Sequence, residues 1–280
     1  MKDLEGRVFV VTGANTGIGR ATATELARRG AEVIAACRSE ERARPVLEAI
    51  RAETGNQKVS LVALDLADLA SVRRCGEELA RREGPIHVLI NNAGLAGQRG
   101  VTADGFELAF GVNHLGHFLL TQLLLDKLRA SAPARVVNVS SHSHYRARGI
   151  DFEAVRRPTR HYTAMPEYSV SKLANVLFTA ELARRLQGTG VTTYALHPGV
   201  IASDIWKRIP QPFRAIAKSF MRSNEEGAQT SLHCAAAAEV AGESGLYYAD
   251  CRPKKPSRPA RDPALAGELW RRSAEWVGAG

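Results

Sequence analysis

Cysteine is scarce in this sequence. There are four in 280 residues, and Cys37, Cys75, Cys234 and Cys251 are scattered with no C-x-x-C pair and no histidine at zinc spacing. A disulfide framework is not expected at this length, so the thiols are read as reduced and mostly buried. No uncharged apolar stretch is read as reaching the ~20 residues of a membrane span. The start, Met1-Lys2-Asp3-Leu4-Glu5-Gly6, passes directly into Arg7-Val8-Phe9-Val10-Val11, with no apolar leader and no cleavage site. Together these absences point to a soluble, cytoplasmic chain. Internal repeats and Ser/Gly-rich linkers are missing too, so a single domain over residues 1–280 is expected. Acidic residues fall short of basic ones, 29 against 38, for a net charge of +9. That surplus favours an anionic partner: a phosphorylated cofactor, nucleic acid or an acidic membrane surface.

What is present is ordinary globular material. Hydrophobic residues make up 45% and charged residues 24%, which supports a sizeable core and excludes a disordered, collagen-like or coiled-coil chain. Apolar, β-branched runs at Val8–Val11, Val33–Cys37, Val59–Leu64, Val88–Ile90, Val136–Val139 and Thr192–Leu196 read as short buried strands. Between them Ile18–Arg29, Pro45–Glu53, Leu69–Arg82, Ala103–Leu128 and Ser169–Leu186 carry apolar residues at helical spacing. Ser71 and Asp104 sit where helix caps belong, and Gly30 just past a helix end. Strand and helix alternating in this way predict an α/β fold: a doubly wound parallel sheet of about seven strands, with helices on both faces. Two stretches break the rhythm. Residues 142–166 read as a long substrate loop and 200–223 as a lid. Ligands on such sheets bind beyond the carboxyl ends of the strands, so the chemistry is sought there.

After the first strand comes Thr12-Gly13-Ala14-Asn15-Thr16-Gly17-Ile18-Gly19 and then a helix. Gly13 suits a sharp turn, Gly17 lets backbone approach a phosphate, and Gly19 allows a helix to lie close on a strand. The helix N-terminus then offers unpaired N–H groups and the positive end of its dipole to a pyrophosphate. Residues Gly13, Asn15, Thr16, Gly17, Ile18 and Gly19 are therefore read as cofactor-binding. At the end of the second strand, where a carboxylate would hold the ribose hydroxyls of NAD(H), stands Cys37 followed by Arg38. A guanidinium pairs with a 2′-phosphate, so NADP(H) is favoured over NAD(H). The alternative is that Arg38 only opens the charged run Arg38-Ser39-Glu40-Glu41-Arg42. Asp65 and Leu66, after the third strand, are read at the adenine end.

Tyr168 and Lys172 stand four apart, on one face of a helix. A free tyrosine is a poor base at neutral pH, and a nearby fixed cation is expected to lower its pKa. Ser141 ends the fifth strand in Asn138-Val139-Ser140-Ser141, where its hydroxyl can donate to a developing oxyanion. Asn91-Asn92-Ala93-Gly94 ends the fourth strand, and the small residues leave room for a cofactor beside Asn92, Ala93 and Gly94. Asn113 lies in an unusually apolar helix, where a buried amide needs partners and could hold a water. His197-Pro198-Gly199-Val200 ends the sixth strand, a turn suited to lining a nicotinamide pocket with Pro198, Gly199 and Val200.

The ordered set T-G-x-x-x-G-I-G, N-N-A-G, N-V-S-S, Y-x-x-x-K and H-P-G, from about Arg7 to Tyr248, resembles the short-chain dehydrogenase/reductase family. Ala36-Cys37-Arg38, the long gap from Ser141 to Tyr168, and Tyr247-Tyr248-Ala249-Asp250-Cys251 are similar to its retinol dehydrogenase-like branch, which includes the WW-domain oxidoreductases. The resemblance implies that Tyr168 is the general acid and base. Lys172 lowers its pKa and binds the nicotinamide ribose, Ser141 positions the carbonyl, and Asn113 holds a water in a relay to Lys172. It further implies a homodimer or homotetramer paired through the helices of Ala103–Leu128 and Ser169–Leu186. Neither the N-terminal membrane anchor of many animal retinol dehydrogenases nor a WW domain is read in the sequence, and neither is expected. The implied substrate is thus the broader class of lipophilic aldehyde, ketone or alcohol. An NADP(H)-binding redox sensor or scaffold with little turnover is the alternative.

Remaining features are read more blandly. Trp206, Ile209, Phe213, Ile216 and Phe220, interleaved with Lys207, Arg208, Arg214, Lys218 and Arg222, suit a lid helix, or a surface helix that also contacts acidic membrane. The basic run Arg252, Lys254, Lys255, Arg258 and Arg261 has no interleaved aromatics, and no nucleic-acid partner is expected. His114 with His117, or His142 with His144, lack a carboxylate or cysteine at ligand spacing, so no metal is expected. His142, His144 and Tyr145 are expected at the substrate entrance.

Overall fold

The chain is described by a computed structural model covering residues 2–199 and 223–279. Its first half runs β1 (Val8–Thr12), α1 (Gly17–Arg28), β2 (Glu32–Cys37), α2 (Glu40–Thr54), β3 (Val59–Ala63), α3 (Leu69–Arg81) and β4 (Val88–Asn91). The long helix α4 (Leu108–Ala130) follows, and a π turn interrupts it at Gly111–Leu115. Then come β5 (Ala134–Val139), α5 (Met165–Arg185), β6 (Val191–His197), α6 (Asn224–Ala236), β7 (Leu246–Ala249), β8 (Arg252–Pro253) and α7 (Pro263–Trp276).

The strands form one eight-stranded sheet, in the order β3-β2-β1-β4-β5-β6-β7-β8. Every pairing is parallel except the last, where β8 turns back on β7. The order reverses between β1 and β4, and the carboxyl ends of those strands carry the glycine loop and the Asn91–Gly94 turn. β1 and β4 are buried along their whole length, as strands covered on both faces must be. One core, including Val10, Leu89, Leu115, Phe118 and Leu177, lies under α3, α4, α5 and α7. The other, including Phe9, Val11, Leu26, Leu47 and Tyr194, lies under α1, α2 and α6.

Several expectations are corrected. The short edge strand β8 was not foreseen, nor was either late helix. Ser71 caps no helix; its hydroxyl lies inside α3 and accepts the Asp65 N–H at 3.0 Å. Asp104 caps α3 rather than its own helix, its carboxylate accepting the Leu69 N–H at 2.9 Å, beside the Asp68 N-cap. By length and composition alone α4 could cross a membrane, with a mean hydropathy of 1.3, but 72% of that window is buried inside the fold. It is apolar because it is core.

Helix α5 is buried on every side from Ser171 to Thr179, and α4 is buried from Asn113 to Thr121. Helix α7 supplies much of that cover. Trp270 packs on Phe118 and Phe178, with ring centroids 5.1 and 5.9 Å away, and Trp276 lies 5.4 Å from Phe106. Much of both helices is therefore covered within one chain. The lid and the basic 206–222 stretch lie outside the described residues.

Candidate active site

The site grows from the end of β1. Gly13 turns with φ +68°, and a Cβ there would stand 3.0 Å from the Ala93 Cβ. At Gly19 a Cβ would come within 2.2 Å of the Gly13 carbonyl oxygen and 2.5 Å of Asn92 Nδ2. These glycines are required by closeness, so the first turn of α1 lies against the β4 turn. Thr16, the N-cap of α1, makes no side-chain cap bond. By contrast α2, α3, α6 and α7 begin on Ser39, Asp68, Ser223 and Asp262, whose side chains accept backbone amides. An anionic cofactor thus finds at α1 a glycine-lined cradle and amides that no side chain has claimed. Asn15 and Ile18 are half-buried in the same loop, and Thr16 is exposed.

At the end of β2 the Cys37 thiol is buried, held against the backbone N–H groups of Ala14 and Asn15. Arg38 is exposed, and no carboxylate pairs with it among the described residues. Asp65 accepts the Ala67 N–H at 2.9 Å. The Leu66 side chain belongs to the core, where a Cβ on Gly116 would meet its Cδ2 at 2.9 Å. The backbone of Leu66, rather than its side chain, is then the part free to face an adenine.

Thr12, which the sequence reading passed over, ties the loop to the β4 turn. Its hydroxyl accepts the N–H groups of Asn92 and Ala93, both at 2.9 Å, while Asn92 Nδ2 donates to the Thr12 carbonyl at 2.8 Å. Beyond that turn, a Cβ on Gly94 would sit 3.1 Å from Asn113 Oδ1 and 3.5 Å from Lys172 Nζ. The missing side chain lets an amide and an ammonium from different helices face one turn.

Lys172 is buried and donates to the Val139 carbonyl at 2.9 Å. Ser140 bonds to the Lys172 carbonyl at 2.7 Å, so α5 is fixed to the end of β5 just before Ser141. The Ser141 side chain is near enough to Tyr168 to pull its phenol down, and Lys172 Nζ lies 5.7 Å from the Tyr168 ring centroid. Burial pushes the Tyr168 phenol up from its ordinary value, against the smaller downward pull of Ser141. Burial also lowers Lys172, to about 8. In the protein alone desolvation outweighs the pull of Ser141, and the expected fall in the tyrosine pKa is not seen.

Asn113 stands in the π turn of α4. Its Nδ2 donates to the Leu95 carbonyl at 3.0 Å and to Ser171 Oγ at 2.9 Å, and its Oδ1 accepts the Leu95 N–H at 2.9 Å. Both amide donors are used, so a water can be held only by an acceptor lone pair. Pro198 is buried and Gly199 adopts φ +93° at the end of β6; Val200 lies outside the described residues.

The histidines are not laid out as expected. His144 is fully buried, its Nδ1 2.7 Å from the Ser141 carbonyl and its Nε2 accepting the Ser257 N–H at 3.2 Å. It clips the turn after Ser141 to the C-terminal segment and does not line an entrance. His142 is exposed there, and the Tyr145 hydroxyl donates to the Lys255 carbonyl at 2.6 Å. His114 faces Ser273 at 3.0 Å among Phe110, Phe118 and Phe178.

Residues 7–152 match the short chain dehydrogenase family. Retinol dehydrogenase 12 of Mus musculus is 49% identical over 278 residues, spanning 98% of this chain and 87% of that protein. The chain belongs to the short-chain dehydrogenase family, in its retinol dehydrogenase-like branch. A solved structure of an uncharacterised Mycobacterium paratuberculosis protein aligns with TM-score 0.78 and 36% identity over 99% of this chain and 96% of that one. The NADP active-site complex of RhlG from Pseudomonas aeruginosa aligns with TM-score 0.70 and 27% identity, over 87% and 94% of the two chains. Membership makes the chain an oxidoreductase with a nicotinamide cofactor, and the cradle at Gly13–Gly19 fits that group.

Proposed function

We propose that this short-chain dehydrogenase is NADP(H)-dependent and interconverts a lipophilic aldehyde or ketone with its alcohol, using Tyr168 as general acid and base. The observation that carries this reading is that Tyr168 and Ser141 stand beside buried Lys172, whose ammonium faces the turn that Gly94 leaves open. The bound nicotinamide supplies the hydride in reduction and accepts it in oxidation. Tyr168 gives its phenolic proton to the carbonyl oxygen, and Ser141 donates a hydrogen bond to the same oxygen. Burial that raises the phenol keeps it protonated, ready to act as the acid. Lys172, with a pKa near 8, is mostly ammonium at neutral pH and can return a proton to the tyrosine. Asn113 offers acceptor lone pairs for a water that resupplies Lys172.

Gly13, Asn15, Thr16, Gly17, Ile18 and Gly19 would hold the pyrophosphate, with Asp65 and the Leu66 backbone at the adenine. Asn92, Ala93 and Gly94, with Tyr168, Lys172, Pro198, Gly199 and Val200, would border the nicotinamide and its ribose. NADP(H) over NAD(H) rests on exposed, unpaired Arg38 and is supported by the RhlG/NADP likeness. The lipophilic class rests on likeness to a retinol dehydrogenase. A cytoplasmic setting belongs to the same reading and is supported by four free cysteines.

The test follows NADPH and NADH absorbance against carbonyls running from short aliphatic through aromatic to retinal. Turnover is expected on lipophilic carbonyls with NADPH, and Tyr168→Phe should cut it roughly a hundredfold or more with NADPH binding intact. Arg38→Ala should raise KM for NADPH about tenfold or more and leave that for NADH unchanged. Full activity in Tyr168→Phe would overturn the acid–base role. Tight NADPH binding without turnover on any carbonyl would favour the sensor reading instead.

A further inference from the structure

His117 lies one turn beyond Asn113 in α4 and is 2% exposed. Its Nδ1 is 3.2 Å from the Asn113 carbonyl oxygen. A carbonyl can only accept, so Nδ1 carries the proton and Nε2 is bare. Nε2 lies 2.9 Å from the Thr12 hydroxyl. That hydroxyl already accepts the Asn92 and Ala93 amides, and its single proton is left to give. His117 at 2.9 Å is a nearer acceptor than the Ile90 carbonyl at 3.4 Å. Every polar atom of the ring is thus used in one orientation and one tautomer, and the imidazole bridges two strand-end turns to the π turn.

We propose that His117 is a positioning residue, which as a neutral Nδ1–H imidazole fixes the Asn113 carbonyl relative to the Thr12–Ala93 turn. This goes beyond the proton path proposed above and rests on it. The π turn changes the helical bonding around Asn113, and the His117 ring adds a directed side-chain donor to the Asn113 carbonyl. Thr12 in turn holds the amides of the turn that ends at Gly94, against which Asn113 Oδ1 and Lys172 Nζ stand. One ring therefore sets the spacing between the cofactor turn and the inner end of the proton path. Its own proton takes no part in the reaction.

The two halves of the bridge separate with two amide substitutions in the full-length enzyme. His117→Asn keeps a donor near the Nδ1 position and so retains the bond to Asn113. His117→Gln reaches the Nε2 position, where its carbonyl accepts from Thr12, and gives up Asn113. In NADPH-dependent reduction of retinal each variant breaks one half of the bridge, and both should lose roughly tenfold to a hundredfold in kcat with little change in KM for NADPH. Wild-type-like kcat in either variant would overturn the proposal, because the half of the bridge that it breaks would then be dispensable. Should either variant fail to fold, nitrogen NMR of histidine-labelled wild-type enzyme reads the tautomer directly. A buried imidazole protonated at Nδ1 alone is expected, and protonation at Nε2 alone would overturn the bridge. Tyr168→Phe is run alongside. Full turnover in that variant would remove the proton path itself, whereas a dead Tyr168→Phe beside an active His117→Gln would count against His117 alone.

Discussion

The cofactor end and the C-terminal segment of this molecule are built on opposite principles. Around Gly13, Gly19 and Gly94 the structure depends on side chains that are missing: a single Cβ would land 2.2 Å from a backbone oxygen at Gly19. Helix α7 depends on side chains that are large. Trp270 wedges between Phe118 and Phe178, the Arg185 guanidinium lies 4.3 Å from the Trp270 ring centroid, and Trp276 closes over Phe106 and Phe110. Closeness demands one residue type at one position, whereas filling volume can be met by many combinations. The first kind of requirement gives short motifs, and the second gives only apolar content.

The comparison is tested hardest where volume is greatest. Trp270→Ala would remove the indole from the junction of α4, α5 and α7 and should cost about 3–5 kcal/mol of stability. The measurement is the urea midpoint with and without NADPH. Because Trp270 touches no residue of the proposed site, the folded fraction should bind NADPH as before. A loss of NADPH affinity at unchanged stability would mean that α7 belongs to the site and that the two regions are not separable.

That division explains what could be read in advance. The glycine loop, the Asn91–Gly94 turn, Ser141, and Tyr168 with Lys172 were legible because each demands a particular residue at a particular strand end. The sheet followed from unbroken apolar runs such as Val8–Val11. Helix α7 was missed because its stripe is broken by Arg271 and Arg272, which bond back to Glu268, leaving the two tryptophans to mark it. Asp104 and Ser71 misled because a cap looks the same in sequence whichever helix its side chain serves. The bridging roles of His117 and His144 were hidden for a related reason: their partners, Thr12 and Ser257, are brought to them only by the fold. The pKa of Tyr168 was misjudged because spacing gives the distance to a cation and says nothing of burial.

The opposite edit is to add one methyl group where none fits. Gly19→Ala forces the α1 backbone away from Gly13 and Asn92 and should cost about 1–3 kcal/mol. Here the defect falls on the cradle, so NADPH affinity should drop alongside stability. Isothermal titration beside thermal melting reads both. Unchanged NADPH affinity would show that α1 can move off the β4 turn without disturbing the ligand, and that close approach is a packing feature alone.

The smallest effect lies where the two regions meet, at a pair of histidines that burial keeps neutral at ordinary pH. His114 reaches Ser273 of α7, and His117 reaches Thr12 of the cofactor loop. Burial lowers both from the ordinary 6.5 to about 3. Between those values the unfolded chain binds a proton at each position and the folded chain does not. Stability should therefore fall as pH drops from about 6.5, by up to about 1.4 kcal/mol per pH unit for each histidine. His114→Gln keeps an amide to face Ser273 and has no proton to gain. Its stability at neutral pH is expected to be lower, but between pH 6.5 and 5 its slope should be shallower than wild type by one histidine's share. Urea midpoints across that range measure the slope independently of the level. An unchanged slope would mean that His114 takes up its proton in the folded state, and that the α7 junction is wetter than its packing against Phe110, Phe118 and Phe178 implies.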